Sequence, residues 1–237
     1  MHMNRRLLYV CGILAPLVFV FMTILGGALR PGYSHQLHTV SELFSPGSPN
    51  KLLLDPLFII YTLFMILFSV GVLQFVRHSG QARPVGLVGA ALFIVAGLAS
   101  FLTATFFPQD PWGTPFTFPG RMHLVFSGVT GLAAMLAYLL LGLWFRRTGL
   151  SPGLALFSFT IVAAAIVSTM LFIASVDGPY MGLGERLAAF TGLLWTFVLG
   201  WWLFTREQHE SMWPTGNKRP TSSLGFEPMK IRKERKK

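Results

Sequence analysis

Residues 85–107 read VGLVGAALFIVAGLASFLTATFF, a run without a single charged or histidine side chain. At 1.5 Å rise per residue, a helix of about 23 residues reaches across the roughly 30 Å of hydrocarbon in a lipid bilayer. A helix that is apolar on every side is typical of a membrane span rather than of a water-exposed surface. This stretch therefore predicts that the chain crosses a membrane.

Five similar runs flank this one, and the composition agrees with them. Charged residues make up 12% of the chain and the mean hydropathy is +0.59, whereas soluble domains carry about 25% charged residues. We predict an all-α fold, a polytopic membrane bundle of six transmembrane helices in one domain over residues 1–205, with a disordered basic tail at 206–237. The predicted spans are residues 7–29, 52–76, 85–107, 122–145, 153–175 and 187–205.

The positive charges are sorted between the two ends of these spans. Fifteen of the nineteen Lys and Arg residues lie before the first run, between the second and third, between the fourth and fifth, or after the sixth. Such a bias predicts that the chain lies in the plasma (inner) membrane of a prokaryote and that this side, with both termini, faces the cytoplasm. The net charge of +10 comes from these clusters and the tail. No continuous basic stripe is present, which argues against nucleic-acid binding. The other side has four: Arg30, Lys51, Arg121 and Arg186.

Acidic and imidazole side chains gather on that other, predicted outer side. No Asp, Glu, Lys, Arg or His falls at the middle of a predicted span, which argues against an ion pump, a proton relay or a carrier of charged substrates. Phosphate-binding glycine loops and Cys-x-x-Cys pairs are also missing, which argues against nucleotide hydrolysis and dithiol chemistry. The outer acids and histidines are Glu42, Asp55, Asp110, Asp177, Glu185, His35, His38 and His123.

Several local patterns predict how helices begin and pack on this side. Thr39 and Glu42 have the spacing of a capping box, which favours a short helix over about residues 40–44. Asp55 is a candidate cap for the second span, and Asp177 and Arg186 could pair across the last outer connection. Ser151 and Pro152 favour a helix start at the fifth span. Small residues predict close helix contacts in the third and fourth spans: Gly86, Gly89, Gly97, Ser127, Gly128 and Gly131.

Short motifs of the outer side resemble a known family. PGYSH at 31–35 and TVSEL at 39–43 are followed by FP at 107–108, DP at 110–111, His123, and Gly184 with Arg186. In this order and spacing they resemble a prokaryotic membrane family catalogued as domain of unknown function 998, over about residues 5–205. The resemblance implies six membrane helices and no established reaction. The polar positions of the family's motifs are Tyr33, Ser34, His35, Ser41, Glu42, Asp110 and His123; His38 is not a regular feature of the family.

Three hypotheses fit the outer polar residues. They could be purely structural, capping helices and holding down a long loop. They could be enzymatic: His35, His38 and His123, with Glu42 or Asp110, would suit a divalent metal such as zinc, or a general acid and base acting on a lipid or polyprenyl substrate. The catalytic candidates are then Glu42, Asp110, His123 and Ser41, the last as a nucleophile beside His38, with Ser127 beside His123 as a second such pair.

The third hypothesis is binding without chemistry. The outer side would recognise a lipid, a small apolar ligand or another membrane protein, besides the bilayer itself, through a pocket with His35, Glu42, Asp110 and His123. Aromatic residues of the outer connections offer additional surface, although the same residues suit an interfacial aromatic belt. The sequence fixes neither an oligomeric state nor a protein partner. These aromatic residues are Phe106, Phe107, Trp112, Phe116, Phe118 and Tyr180.

Overall fold

The computed structural model describes residues 4–212 of the chain. Within this range the chain is all-helical, with six long helices and one short 3-10 helix, η1. All six long helices are long and apolar enough to cross a membrane. They are α1 (Arg5–Leu29), α2 (Lys51–His78), α3 (Pro84–Phe106), α4 (Phe118–Thr148), α5 (Pro152–Ala174) and α6 (Met181–Met212), and η1 (Ser41–Phe44) lies between α1 and α2.

The six predicted spans are confirmed as helices, but two begin earlier than expected. Helix α4 begins at Phe118 because Thr117 caps it, its side chain accepting a hydrogen bond from the Gly120 N–H. Helix α6 begins at Met181 instead of residue 187, so Glu185 and Arg186 lie on the helix and not in a connection. It also continues to Met212, beyond the predicted tail boundary at 206. The rest of the predicted tail, 213–237, lies outside the described residues.

The helices form a closed ring in which each helix packs against its neighbours in sequence and α6 closes against α1. Successive helices are antiparallel, as shown by Gly12 of α1 lying against Phe68 of α2 and Gly26 lying against Leu54, so the bundle has two ends. We call the end that carries the α1–α2, α3–α4 and α5–α6 connections the loop face. We call the opposite end, with the N-terminus of α1, the C-terminus of α6 and the remaining connections, the arginine face.

Aromatic side chains fill the centre of the bundle near the arginine face. Trp195 packs against Tyr138 with ring centroids 4.3 Å apart and against Phe93 at 5.4 Å. Its indole N–H donates to the Ser158 hydroxyl at 2.9 Å, so its polar atom is satisfied inside an apolar core. These contacts tie α3, α4, α5 and α6 together across the ring.

The glycines of α3 pack as predicted, but those of α4 do not. A Cβ at Gly86 would meet the Trp144 ring at 2.6 Å, and one at Gly97 would meet Ile66 at 3.2 Å. A Cβ at Gly128 or Gly131 would meet nothing within 4 Å. The prediction of close packing is therefore wrong for these two, because this side of α4 is exposed near the loop face.

Helix α5 begins where its sequence predicts. The Ser151 hydroxyl accepts a hydrogen bond from the Leu154 N–H at 3.3 Å, and Pro152 takes the first helical position. The cap proposed for α2 is wrong. Asp55 lies one turn inside the helix and forms an ion pair with Lys51 at 2.7 Å.

Candidate functional site

The α1–α2 connection is folded over the loop face and anchored by η1. The predicted capping box is present: the Thr39 N–H donates to Glu42 Oε1 at 3.0 Å, and the Glu42 N–H donates to the Thr39 hydroxyl at 3.2 Å. Leu43 and Phe44 follow it and are buried against α1 and α2. Polar capping and apolar burial therefore fix the same short segment.

Arg186 connects α6 to this segment. The side chain is 6% exposed. Its Nη1 donates to the carbonyl oxygens of His35 and His38 at 2.7 and 2.8 Å, and its Nη2 donates to the Tyr33 hydroxyl at 2.6 Å. The Tyr33 hydroxyl in turn donates to the Thr39 carbonyl oxygen at 2.7 Å. One guanidinium thus binds the α1–α2 connection at three points, two backbone carbonyl oxygens and one side-chain hydroxyl.

Glu185 reaches the same segment from the neighbouring position on α6. Its carboxylate accepts a hydrogen bond from the Val40 N–H and another, at 2.9 Å, from the Ser41 hydroxyl. Ser41 therefore faces a carboxylate and is not paired with His38. The His38 Nδ1 accepts from the Ser34 N–H at 2.9 Å instead. This geometry gives no support to Ser41 as a nucleophile activated by His38.

His35 lies at the edge of this arrangement. Its ring packs edge-on against Tyr33, with centroids 5.2 Å apart, and covers Gly27, where a Cβ would meet the ring at 2.5 Å. His35 is exposed overall, but desolvation of its ring, together with the nearby Arg186 guanidinium, lowers the pKa of His35 below its usual value. Burial also raises the pKa of Tyr33 to about 12, against the attraction of Arg186. Both side chains are therefore neutral near neutral pH.

The lowered pKa of His35 predicts a pH-dependent stability. As the pH falls below 6.5, the unfolded chain binds a proton at His35 before the folded chain does, because the pKa of His35 is lower in the folded chain. The free energy of unfolding that is present above pH 6.5 therefore decreases as the pH falls toward the pKa of the folded chain. We expect the Tm of the full chain to fall over this acidic range, and to fall less in a His35→Gln variant. Equal slopes of Tm against pH in the two proteins would contradict this.

A second polar group surrounds the start of α4. Asp110 is buried, and its carboxylate accepts from the Thr117 N–H at 2.7 Å and from the Thr117 hydroxyl at 2.8 Å. It thereby places a negative charge at a helix N-terminus, where the helix dipole favours one. His123, also buried, holds the Phe107 carbonyl oxygen through its Nδ1 at 2.9 Å. Both residues shape the α3–α4 connection. Ser127, by contrast, is exposed.

The structure therefore divides the predicted site residues into two groups. His35, His38, Ser41 and Glu42 lie together with Glu185 and Arg186, whereas Asp110 and His123 lie at the start of α4. Across the part of the chain that the structure describes, no group of three or more His, Cys, Asp or Glu side chains is placed to hold a metal ion. His35, His38 and His123 are not brought together as a ligand set. The enzymatic hypothesis stays a prediction.

A cavity of about 380 Å³ lies between the α1–α2 connection and the α3–α4 connection. It is lined by residues of both connections: Arg30, His38, Glu42 and the segment 45–49 from the α1–α2 connection, and Pro111 and Trp112 from the α3–α4 connection. This volume is within the range of small-molecule sites. Of the predicted ligand-binding residues, Glu42 lines the cavity directly. Asp110 directly precedes the lining residue Pro111 but is not itself in the lining. His35 and His123 are not among the lining residues either.

Glu185 and Arg186 hold the α1–α2 connection in place, a role that the sequence reasoning did not assign to them. The expected pair of Asp177 with Arg186 is wrong, because Arg186 turns into the bundle toward backbone carbonyl oxygens and Asp177 is exposed. One signal was available. Adjacent ionisable residues at the start of an apolar run must find partners inside the protein if the helix begins before them.

Six apolar helices in a closed ring, with a connection folded over one end, define a multi-pass α-helical membrane protein. The family model described as "Protein of unknown function (DUF998)" matches residues 13–202. The chain therefore belongs to this family, as its motifs suggested. No curated protein and no solved structure matches the chain significantly.

Proposed function

We propose that this integral membrane protein binds, in the cavity of the loop face, the headgroup of a zwitterionic lipid that carries a primary ammonium. The observation that carries the proposal is a loose ion pair of a guanidinium and a carboxylate that both line one cavity. Arg30 Nη2 and Glu42 Oε2 are 3.9 Å apart, too far for a hydrogen bond. A headgroup with a phosphate and an ammonium offers one charge to each.

The hydrogen bonds of the cavity support this chemistry. Glu42 uses Oε1 to cap η1, which leaves Oε2 toward Arg30. Arg30 Nη1 donates to the Glu42 carbonyl oxygen at 2.9 Å, and its guanidinium lies 5.6 Å from the Tyr33 ring centroid. Both charged groups are therefore held in place before a ligand arrives, which lowers the entropic cost of binding.

Ser45 and Trp112 add two further contacts for a headgroup. Ser45 lines the cavity and is 5% exposed, and its hydroxyl has no hydrogen-bond partner among the described residues. A buried hydroxyl without a partner costs free energy that a ligand can recover. Trp112, 53% exposed, lies opposite, and indole rings favour the boundary between headgroups and acyl chains.

The proposal includes an orientation: the loop face lies outside the plasma membrane and both termini lie in the cytoplasm. The excess of Lys and Arg on the arginine face supports this. The cavity then faces the outer leaflet, and the lipid enters from there.

One cysteine experiment tests both parts. Cys11 is the only cysteine and is buried in α1. A variant with Cys11→Ala and Ser48→Cys therefore has a single cysteine, in the lining of the cavity. On intact cells, a membrane-impermeant maleimide should label residue 48. In nanodiscs of phosphatidylcholine, added phosphatidylethanolamine should slow labelling, and added phosphatidylglycerol should not. Phosphatidylethanolamine is the probe because its ammonium is small and can donate to Glu42.

Matched arginine variants separate binding from a general lipid effect. Arg30→Gln should abolish the protection by phosphatidylethanolamine, because it removes the cation of the cavity. Arg121→Gln removes an exposed arginine of the same face that does not line the cavity, and should keep the protection. Equal labelling rates in all three lipids would overturn the headgroup proposal. Labelling only after the cells are opened would overturn the orientation.

A further inference from the structure

His38 belongs to the α1–α2 connection and is one of the residues that line the cavity of the loop face. Its N–H donates to the Ser34 carbonyl oxygen at 2.8 Å, so residues 34–38 form one hydrogen-bonded turn. In the same turn, the Ser34 N–H donates to the His38 Nδ1 at 2.9 Å. One edge of the imidazole ring is therefore bound to the turn from which the ring projects.

This contact determines where the imidazole proton lies. A backbone N–H can only donate, so Nδ1 accepts with its lone pair and the proton is on Nε2. Among the described residues, no group accepts a hydrogen bond from Nε2. Because the two ring nitrogens point in widely different directions, the Nε2–H is directed away from the turn. The wall of the cavity thus includes a hydrogen-bond donor without a protein partner.

Tyr33 and Arg186 hold this donor in position. The rings of Tyr33 and His38 are stacked, with centroids 5.3 Å apart and an interplanar angle of 24°. Arg186 donates to the Tyr33 hydroxyl at 2.6 Å and to the His38 carbonyl oxygen at 2.8 Å. Helix α6 therefore holds both the backbone of His38 and the ring on which it stacks. A donor that is already oriented loses little entropy when a ligand binds.

The position of this donor suits a phosphodiester. Arg30, Glu42 and His38 line the same cavity. An ammonium has no lone pair with which to accept from Nε2, so its partner is the Glu42 carboxylate. A phosphodiester has two non-bridging oxygens, which allow one contact with the Arg30 guanidinium and one with the His38 Nε2–H. Arg30 supplies charge, whereas the neutral imidazole supplies a hydrogen bond of fixed direction.

We infer that His38 binds a non-bridging phosphate oxygen of the headgroup through its Nε2–H. The inference rests on the headgroup site proposed above and adds the residue that makes this site specific for a phosphodiester. It narrows the ligand to a phospholipid with a primary ammonium, as opposed to an amine-bearing lipid without phosphate.

Labelling of the single cysteine at position 48 tests the role of Nε2. Phosphatidylethanolamine should still protect this cysteine in His38→Gln, because the glutamine amide nitrogen reaches the position of Nε2. His38→Asn keeps an acceptor for the Ser34 N–H but places no donor at that position. The amount of phosphatidylethanolamine that gives half protection should therefore rise about tenfold, because the lost hydrogen bond has a charged acceptor. His78→Asn changes a histidine of the arginine face and should leave the protection unchanged.

NMR of protein with isotope-labelled histidine detects the same contact without a substitution in the site. The signals of His38 are those that disappear in His38→Gln. We expect a protonated Nε2 and an unprotonated Nδ1. The Nε2 signal should shift when phosphatidylethanolamine replaces part of the phosphatidylcholine in the nanodiscs. Octadecylamine, which carries the ammonium without a phosphate, should not shift it.

The outcomes separate this inference from the headgroup site itself. Full protection in His38→Asn, equal loss in His38→Asn and His38→Gln, or a proton on Nδ1 would overturn the role of His38 and leave the headgroup site in place. The same holds if phosphatidylethanolamine protects the cysteine without moving the Nε2 signal. Absence of protection when His38 is retained would overturn the headgroup site and, with it, this inference.

Discussion

Replacing Arg186 with methionine is expected to cause the largest loss of stability of any single substitution at the loop face. The change removes one buried guanidinium and leaves the carbonyl oxygens of His35 and His38, and the Tyr33 hydroxyl, without their donor. Breaking a buried charged network of this kind costs about 3–5 kcal/mol of the free energy of unfolding. For a chain of this size that corresponds to a fall in Tm of about 10 °C or more.

In Arg186→Met, the α1–α2 connection should unfold locally before the whole bundle unfolds. Because Arg186 and Glu185 hold the α1–α2 connection from α6, the connection should become accessible to protease in Arg186→Met at temperatures where the helices remain folded. Limited proteolysis followed by mass spectrometry would locate the new cleavage sites, which we expect between residues 30 and 51. Arg186→Lys should be intermediate, because an ammonium keeps the charge but cannot span the same acceptors.

Arg121→Met is the control for this prediction. Arg121 is an exposed arginine of the same face whose guanidinium donates only a long bond, 3.5 Å, to the Phe116 carbonyl oxygen. Its removal should change stability by no more than about 0.5 kcal/mol. If Arg186→Met and Arg121→Met melted and were cleaved alike, Arg186 would not be the residue that fastens the connection.

Adding one methyl group at Gly182, one turn before Arg186 on α6, should destabilise the same connection. A Cβ at this position would lie 2.9 Å from the His35 carbonyl oxygen and closer still to that of His38. These are backbone atoms that cannot rotate away, so α6 and the connection must move apart. Overpacking of this kind costs about 1–3 kcal/mol, and the displaced carbonyl oxygens also leave Arg186. We expect Gly182→Ala to lower the Tm and to speed proteolysis of the connection.

Gly131→Ala is the matched substitution in which the same methyl group meets open space. A Cβ at Gly131 has nothing within 4 Å, and alanine favours a helix over glycine by about 1 kcal/mol. The Tm of Gly131→Ala should therefore stay the same or rise slightly. A fall as large as that of Gly182→Ala would contradict the exposed placement of this side of α4 and show that another chain covers it.

The capping of η1 could be predicted from the sequence because it depends on local spacing. Thr39 and Glu42 are three residues apart, so their reciprocal capping follows from the geometry of a single turn. The burial of Asp110 beside Thr117 was not accessible in this way. Asp110 is seven residues from Thr117, and only the path of the α3–α4 connection decides that they meet.

The same limit explains the errors at α4 and α6. Gly97 and Gly131 look alike in sequence, yet Gly97 contacts α2 and Gly131 contacts nothing, because the direction of each helix face depends on how the ring closes. The sequence offered Asp177 as a partner for Arg186 across the last outer connection. Instead, the early start of α6 directs it to carbonyl oxygens about 150 residues away.

The sequence by itself determined the number of membrane helices and the segregation of charge between the two ends of the bundle. Both follow from transfer free energies that each segment carries independently of its neighbours. Only the tertiary structure decided which polar groups meet: Arg186 with the carbonyl oxygens of His35 and His38, and Arg30 with Glu42. Hydrogen bonds and ion pairs act over a few ångströms, so they depend on how the helices pack and not on the composition of any one of them.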